Sequence, residues 1–146
     1  MLKLIYKIDG ALRNRKFVCM SRRFRCLSVR QPFAGLIALG YKTIEARSWK
    51  TEFRGRLYIH TGLNQSPTPL YNVNKNDLDH HIFQIRGKII AHVNLVDCIQ
   101  IDGSHSNAAK FEICAIANGF VFESPRVLEE PILAKGKLGL FMVETA

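Results

Sequence analysis

The amino-acid sequence predicts an α+β fold, a β-barrel with short flanking helices. Its 146 residues suit one domain with a single hydrophobic core. Several segments carry the apolar patterns of strands, whereas only two short segments have helical spacing. Because no strand–helix–strand unit repeats along the chain, a doubly wound parallel sheet is not expected.

The first predicted strand, 26–29, leads into a short predicted helix. Pro32 suits the first helical position, where its missing N–H removes no hydrogen bond. Gly40 suits the residue just past a helix end, where a left-handed conformation is common. Between them, apolar residues recur at spacings of three and four, namely Phe33, Leu36, Ile37 and Leu39.

A charged strand is predicted at 42–47, directly after this helix. Side chains alternate between the two faces of a strand, so Glu45 and Arg47 are expected on the same face. An acidic and a basic group on one face, next to Lys42, form either the wall of a polar cleft or a solvated set of surface ion pairs.

The rest of the chain is predicted to consist of strands and loops. Further strands are expected at 55–61, 89–99, 119–123 and 138–143. A helix is expected at 108–117 and an irregular loop at 62–85 with a helical turn near 77–83. The strand at 119–123 is expected to end at Pro125, and turns are expected at 129–131 and 135–137. On the polar face of the strand at 55–61, His60 is expected to line the same cleft as Lys42, although a strand histidine more often has a structural role.

The positive charge of the chain is concentrated at its beginning. The formal net charge is +9, yet residues 1–25 alone hold eight basic side chains against Asp9. Residues 1–24 are therefore expected to be a basic extension, either disordered or produced by a start upstream of the alternative Met20, with a phosphate-binding arm as another interpretation. Residues 25–146 are expected to form the domain.

Several classes of protein are not expected. No apolar run is long enough to cross a bilayer, and no secretory signal is recognisable, so a cytoplasmic location is expected. The cysteines at 19, 26, 98 and 114 form no C-x-x-C pair and have no histidine at zinc-ligand spacing. We therefore expect no metal and no cofactor, and we expect Cys26, Cys98 and Cys114 to be small core residues.

Basic and aromatic residues are mixed between Arg30 and Arg56. Six basic residues and two acidic ones surround Tyr41, Trp49 and Phe53. Single-stranded nucleic acid needs such a mixture, because its phosphates attract cations and its bases stack on flat rings. In the alternative interpretation, Trp49 and Phe53 belong to the core and the charges are merely solvated.

Two blocks of sequence resemble the ASCH domain, a member of the PUA-like β-barrel superfamily. The first block contains Gln31-Pro32, Gly40-x-Lys42-x-x-Glu45-x-Arg47, Ser48-Trp49 and Arg54-Gly55. The second contains 122–126, 130–132, Lys135-Gly136-Lys137 and 139–141. The resemblance implies a β-barrel whose cleft binds RNA or a modified nucleoside.

The resemblance, together with the residue chemistry, suggests a role for each candidate residue in nucleic-acid binding. Arg30, Lys42, Arg47 and Arg54 are expected to neutralise phosphates, Tyr41 or Trp49 to stack on a base, Gln31 or Glu45 to contact a base edge, and His60 to line the cleft. We also expect Glu45 to raise the pKa of Lys42. Replacing Lys42 or Arg47 by alanine should then weaken binding and leave stability almost unchanged.

The alternative function is hydrolysis. A branch of ASCH-like proteins consists of acetylcytidine amidohydrolases, and in that case Lys42 and Glu45 would be the catalytic residues. That branch has a threonine three residues after its lysine, whereas this chain has Glu45 there. The substitution removes a hydroxyl that the mechanism needs, so binding is the favoured interpretation.

Overall fold

The structure is a computed structural model that describes residues 21–145. Its strands are β1 (Arg22–Gln31), β2 (Ile44–Arg47), β3 (Gly55–Gln65), β4 (Lys88–Ile101), β5 (Ala117–Leu133) and β6 (Leu140–Thr145). Its α-helices are α1 (Phe33–Ala38) and α2 (Ser106–Ala109), and short 3₁₀ turns lie at Lys75–Leu78, His81–Gln84 and Gly103–His105. The predicted α+β class, with few and short helices, is confirmed.

The strands form one mixed sheet in the order β2-β5-β4-β3-β1-β6. Strands β1 and β3 are parallel, and every other neighbouring pair is antiparallel. In the described residues β2 and β6 are both outer strands, so the hydrogen-bonded pairing does not close and the predicted barrel closure is not confirmed. Three register shifts between β4 and β5 bend these long strands, because bulges increase local twist.

Helix α1 packs against the sheet with all six of its residues buried. It begins directly after Pro32 and is followed by Gly40, whose φ of +85° is the left-handed conformation that favours glycine. A Cβ added at Gly35 would lie 2.6 Å from the ring of Phe83, so this glycine permits close contact between α1 and the His81–Gln84 turn. The predicted helix at this position is confirmed.

The hydrophobic core has a main part and two smaller parts. The main part lies between α1 and the sheet, where Leu57 and Ile59 of β3 meet the buried face of the helix. A second part contains Cys26. A third part packs Ile44 of β2 against Ala109 of α2, and it thereby fixes β2 next to the segment that follows α2.

Several predictions about the later part of the chain are wrong. The helix predicted at 108–117 is limited to Ser106–Ala109, because Lys110 adopts a left-handed conformation with φ of 61°. Strand β5 continues past the strand end predicted at Pro125 and through the turn predicted at 129–131. Beyond Val121 this strand is no longer paired with β2. Pro125 lies at a register shift opposite β4, so its missing N–H removes no hydrogen bond between the strands.

The cysteine prediction holds for Cys26, holds in part for Cys98, which packs against the main part of the core, and fails for Cys114. Cys26 is fully buried, as expected, whereas Cys98 is half-buried and Cys114 is exposed. Cys114 is exposed because it lies between α2 and β5, in a connection that the sequence pattern assigned to a helix.

The predicted basic extension lies largely outside the described residues, since residues 1–20 are not part of the description. Strand β1 begins at Arg22, three residues before the predicted start of the domain. Its first residues pair with β6, and the Arg23 guanidinium lies 2.6 Å from the carboxylate of Glu144. Within residues 21–145 no helix is long and apolar enough to span a membrane.

Candidate functional site

A cavity of about 550 Å³ lies where β1, α1 and β2 meet. This volume is within the range of about 300–1,000 Å³ that small-molecule sites occupy. The cavity is lined by the end of β1, the start of α1, strand β2, the segment after β3 and the loop between β5 and β6. The charged residues along it are Arg30, Lys42, Glu45, Arg47 and Lys137. Basic groups therefore outnumber acidic groups four to one among the described lining residues.

Lys42 is anchored inside the cavity wall. Its backbone N–H donates to Leu36 O at the end of α1, and its side chain is only 1% exposed. The ammonium donates to Ile44 O at 2.7 Å and to Ala109 O at 2.5 Å, and it lies 3.2 Å from a carboxylate oxygen of Glu45. An ammonium has three hydrogens, so these three acceptors use all of them.

Two phenyl rings complete the environment of Lys42. The Lys42 Nζ lies 5.2 Å from the ring centroid of Phe33 and 5.1 Å from that of Phe111, within the range of cation–π attraction. Burial lowers the pKa of Lys42 from its ordinary value, because an apolar environment disfavours the charged form, while Glu45 acts in the opposite direction. Glu45 thus raises the pKa of Lys42 as expected, but the larger effect of burial, which was not expected, makes the net direction downward.

Glu45 joins Lys42 to Arg47. Its second carboxylate oxygen lies 3.4 Å from Arg47 Nε, and another nitrogen of Arg47 donates to Ser28 O at 2.7 Å. The Glu45 side chain is 13% exposed and that of Arg47 is 24% exposed. The three side chains thus form a partly buried network that spans β2 and β1, and the interpretation as a solvated surface set is wrong.

A serine–histidine pair lies beside this network. Ser28 Oγ and His60 Nδ1 are 2.8 Å apart, and His60 Nε2 lies 2.8 Å from Ala134 O. Because a carbonyl only accepts, Nε2 must carry a proton, and in the neutral imidazole Ser28 then donates to Nδ1. A Cβ added at Gly136 would lie 2.8 Å from Ser28 Oγ, so the loop between β5 and β6 packs directly on this pair. His60 itself is 2% exposed and does not line the cavity.

Two cations at the cavity have no partner in the part of the chain that the structure describes. Both Arg30 and Lys137 are exposed, and neither side chain makes a hydrogen bond or ion pair within residues 21–145. In contrast, the ammonium of Lys42 is directed at protein acceptors, and Arg47 donates one hydrogen bond to Ser28 O and lies beside Glu45. Arg30 and Lys137 are therefore the most accessible charges of the cavity, and Arg47 keeps N–H groups that make no hydrogen bond within residues 21–145.

The cavity brings together four of the predicted site residues, which are Arg30, Lys42, Glu45 and Arg47. Gln31 is fully buried, where its amide bonds the backbone of α1 and of the His81–Gln84 turn, so it cannot contact a base edge. The partly buried Trp49 packs edge-on against Phe120, with ring centroids 4.9 Å apart. This contact favours the core interpretation of the tryptophan.

Tyr41 and Arg54 lie outside the cavity. The tyrosine is 46% exposed but does not line it. The Arg54 guanidinium donates to Thr51 O and Phe53 O and lies 3.5 Å from Asp97, so its donors are used locally. Together with Gln31 and His60, these residues are not retained as ligand contacts.

Several residues of the cavity were not predicted from the sequence. Lys137 is the most important, since it supplies a free cation, and Ser28, Ser66 and Thr68 add hydroxyl groups. Lys137 belongs to the Lys-Gly-Lys segment of the ASCH resemblance, which was the available signal for it. Within the described residues, no group of three or more potential ligands could hold a metal ion.

Comparisons with known proteins give three results. The family model of the ASCH domain matches residues 27–132. Activating signal cointegrator 1 of Mus musculus and that of Homo sapiens are each 35% identical over 82 residues, covering 51% of this chain, so the chain spans 14% of the length of these relatives. An ASCH structure from Zymomonas mobilis is similar with a TM-score of 0.49 and 18% identity, covering 75% of this chain and 72% of that one.

Proposed function

Because this chain belongs to the ASCH domain family, we propose that it binds single-stranded RNA or a modified nucleotide in the cavity between β1, α1 and β2. The observation that carries the proposal is the pair of exposed cations, Arg30 and Lys137, which line the same cavity and have no partner within residues 21–145. Phosphate groups are the common biological anions that such a pair can neutralise.

The buried network supports this proposal by holding the cavity in shape. Lys42 and Arg47 carry two positive charges, and Glu45 compensates only one of them. The remaining positive potential is fixed in place by hydrogen bonds to backbone carbonyls, so no side-chain entropy is lost when an anion arrives. Lys42, Glu45 and Arg47 therefore act as a preorganised support, whereas Arg30 and Lys137 make the direct phosphate contacts.

Apolar groups at the cavity supply a surface for a base. The ring of Phe111 is half-buried at its wall, and the side chain of Leu138 is 99% exposed at its edge. Bases present apolar faces that pack on such surfaces irrespective of sequence. These contacts replace the stacking roles that the sequence suggested for Tyr41 and Trp49.

A direct test is the binding of a labelled single-stranded RNA, measured by fluorescence anisotropy over a range of salt concentrations. We expect Arg30→Ala and Lys137→Ala each to weaken binding about fivefold, because each removes one phosphate contact worth about 1 kcal/mol. The slope of log affinity against log salt should also fall by about 0.7 for each lost contact.

Matched controls are Arg126→Ala and Lys75→Ala, since both residues are exposed cations that do not line the cavity. We expect these variants to bind like the parent. If the cavity and control variants weaken binding equally, the positive charge acts nonspecifically and the proposed site is wrong.

Hydrolysis of an acylated nucleoside is the second candidate, and the lowered pKa of Lys42 beside Glu45 is the observation in its favour. Against it, all three hydrogens of the Lys42 ammonium are directed at protein acceptors. We expect the parent protein to leave acetylcytidine intact. Turnover that is present in the parent and lost in Glu45→Gln, with unchanged folding, would establish the hydrolase instead.

A further inference from the structure

A second cavity, of about 330 Å³, adjoins the first one. Ser66 and Thr68 line both cavities, so the segment directly after β3 is a shared wall. Pro32 lines the second cavity and its neighbour Phe33 lines the first. The two cavities therefore adjoin, separated by a partition of two hydroxyl-bearing residues, and together we call them the groove.

The second cavity combines apolar and amide groups. Leu78 and the buried Phe83 provide apolar surface, whereas Gln65 and Gln84 provide side-chain amides. An amide can both donate and accept, which matches the mixed edge of a nucleobase. No acidic residue of the described chain lines this cavity.

Arg86 supplies positive charge to the second cavity. Its guanidinium donates to Phe83 O and Ile85 O, and also to Gln65 Oε1 at 2.6 Å. It forms no ion pair with a carboxylate anywhere in residues 21–145. The charge is thus held rigidly at the wall and remains uncompensated until an anion approaches.

The partition between the cavities is fixed to the sheet and has donors available. The Ser66 N–H donates to Gln31 O at 2.8 Å, which ties the segment to the end of β1. Ser66 Oγ accepts from the Thr68 N–H at 3.3 Å, so the hydroxyl hydrogen of Ser66 stays free to donate. The hydroxyl of Thr68 makes no hydrogen bond within the described residues. The hydroxyl groups of Ser66 and Thr68 are neutral hydrogen-bond donors between two cavities that contain basic side chains. This arrangement suits a phosphodiester group.

From this arrangement we propose that the groove binds two consecutive nucleotides of one strand, with a base in each cavity and the connecting phosphate at Ser66 and Thr68. The inference rests on the proposed function and makes it more specific: the ligand is a nucleic-acid strand and not a free nucleoside. Arg30 and Lys137 serve the first nucleotide, and Arg86 serves the second.

The decisive comparison is between nucleoside 3′,5′-bisphosphates and 5′-phosphorylated dinucleotides, which have two phosphates each and differ by one nucleoside. Calorimetric titrations would use nucleoside 5′-monophosphates, nucleoside 3′,5′-bisphosphates and 5′-phosphorylated dinucleotides, each as a mixture of all bases. We expect the dinucleotides to bind at least about fivefold more tightly than the bisphosphates, because only they place a second base against apolar surface.

A variant locates the second base. Gln84→Glu adds a negative charge to the second cavity and should weaken dinucleotide binding about fivefold while leaving bisphosphate binding within about twofold of the parent. Gln100→Glu makes the same change at an exposed position on β4 that lines neither cavity, and should have no effect. Circular dichroism would verify that both variants are folded.

The outcomes separate the two proposals. If bisphosphates and dinucleotides bind equally well, the second subsite is wrong and the first cavity stands as a nucleotide site. The second subsite is also wrong if Gln84→Glu and Gln100→Glu have the same effect. If none of the three ligand classes binds, both proposals are overturned.

Discussion

Replacing Lys42 by methionine should destabilise the protein strongly, although the substitution removes a buried charge. Methionine has a similar length and shape, so the change tests the ammonium and not the volume. Without the ammonium, Ile44 O and Ala109 O lose their hydrogen-bond donor, and Glu45 keeps only Arg47 as a counter-charge.

The magnitude follows from these contacts. A buried carbonyl left without a donor costs about 1–3 kcal/mol, and two are affected. Methionine is easier to bury than an ammonium, and this difference offsets part of the loss. Deleting one partner of a buried ion pair, however, itself costs about 3–5 kcal/mol. We therefore expect Lys42→Met to lower the free energy of unfolding by about 3–5 kcal/mol. This contradicts the expectation from sequence that a substitution of Lys42 leaves stability unchanged.

Unfolding in urea can be followed with the intrinsic fluorescence of Trp49, because it is the single tryptophan of the chain and packs against Phe120 in the core. Lys75→Met serves as the control, since Lys75 is exposed and its replacement should change the free energy of unfolding by at most about 0.5 kcal/mol. A Lys42→Met protein within about 1 kcal/mol of the parent would refute the view that this ammonium organises the cavity wall.

Three further predictions concern residues around the site. Gln31→Glu should cost about 2–4 kcal/mol, because it replaces the amide that donates to Ile82 O at 2.8 Å with an acceptor; chemical denaturation measures this loss. Burial raises the pKa of the Cys26 thiol to about 12, so this thiol ionises at a lower pH in the unfolded chain than in the folded protein. The free energy of unfolding should therefore fall by about 1.4 kcal/mol between neutral pH and pH 10. This alkaline loss should disappear in Cys26→Ala and persist in Cys114→Ala. Gly136→Ala should destabilise by about 1–3 kcal/mol in a thermal melt, since its Cβ meets the serine–histidine pair.

Each of these predictions has a clear contrary result. A Gln31→Glu protein as stable as the parent would mean that the amide is not required in the core. An alkaline loss that survives in Cys26→Ala would assign the titration to another group. A Gly136→Ala protein with unchanged melting would show that the loop between β5 and β6 moves away at little cost.

Part of the site could be predicted from the sequence because it depends on local geometry. Strand alternation alone places Glu45 and Arg47 on one face, and the Pro32 to Gly40 segment alone delimits the helix. The structure adds the burial of Lys42. That burial depends on Ala109 and Phe111, which are 67 and more residues away and lie in a segment without clear periodicity.

Other features depend on contacts that no local pattern encodes. Gln31 resembles an exposed polar residue next to a proline, yet its partners come from the irregular 62–85 segment and draw it into the core. The path of β5 through Pro125 likewise depends on a register shift opposite β4. A polar residue can therefore be identified as unusual from sequence, but its role depends on which distant backbone groups need a partner.

The pairing of β1 with β6 has a consequence for the architecture of longer proteins. Arg22 is the register partner of Thr145, so the first and last strands of the described fold start and finish side by side, about 5 Å apart. A unit whose ends meet can be inserted into a surface loop of a host chain without stretching it. By the same geometry, a short linker between residues 21 and 145 would permit circular permutation, with new ends opened in the exposed segment around Asn72–Asn76.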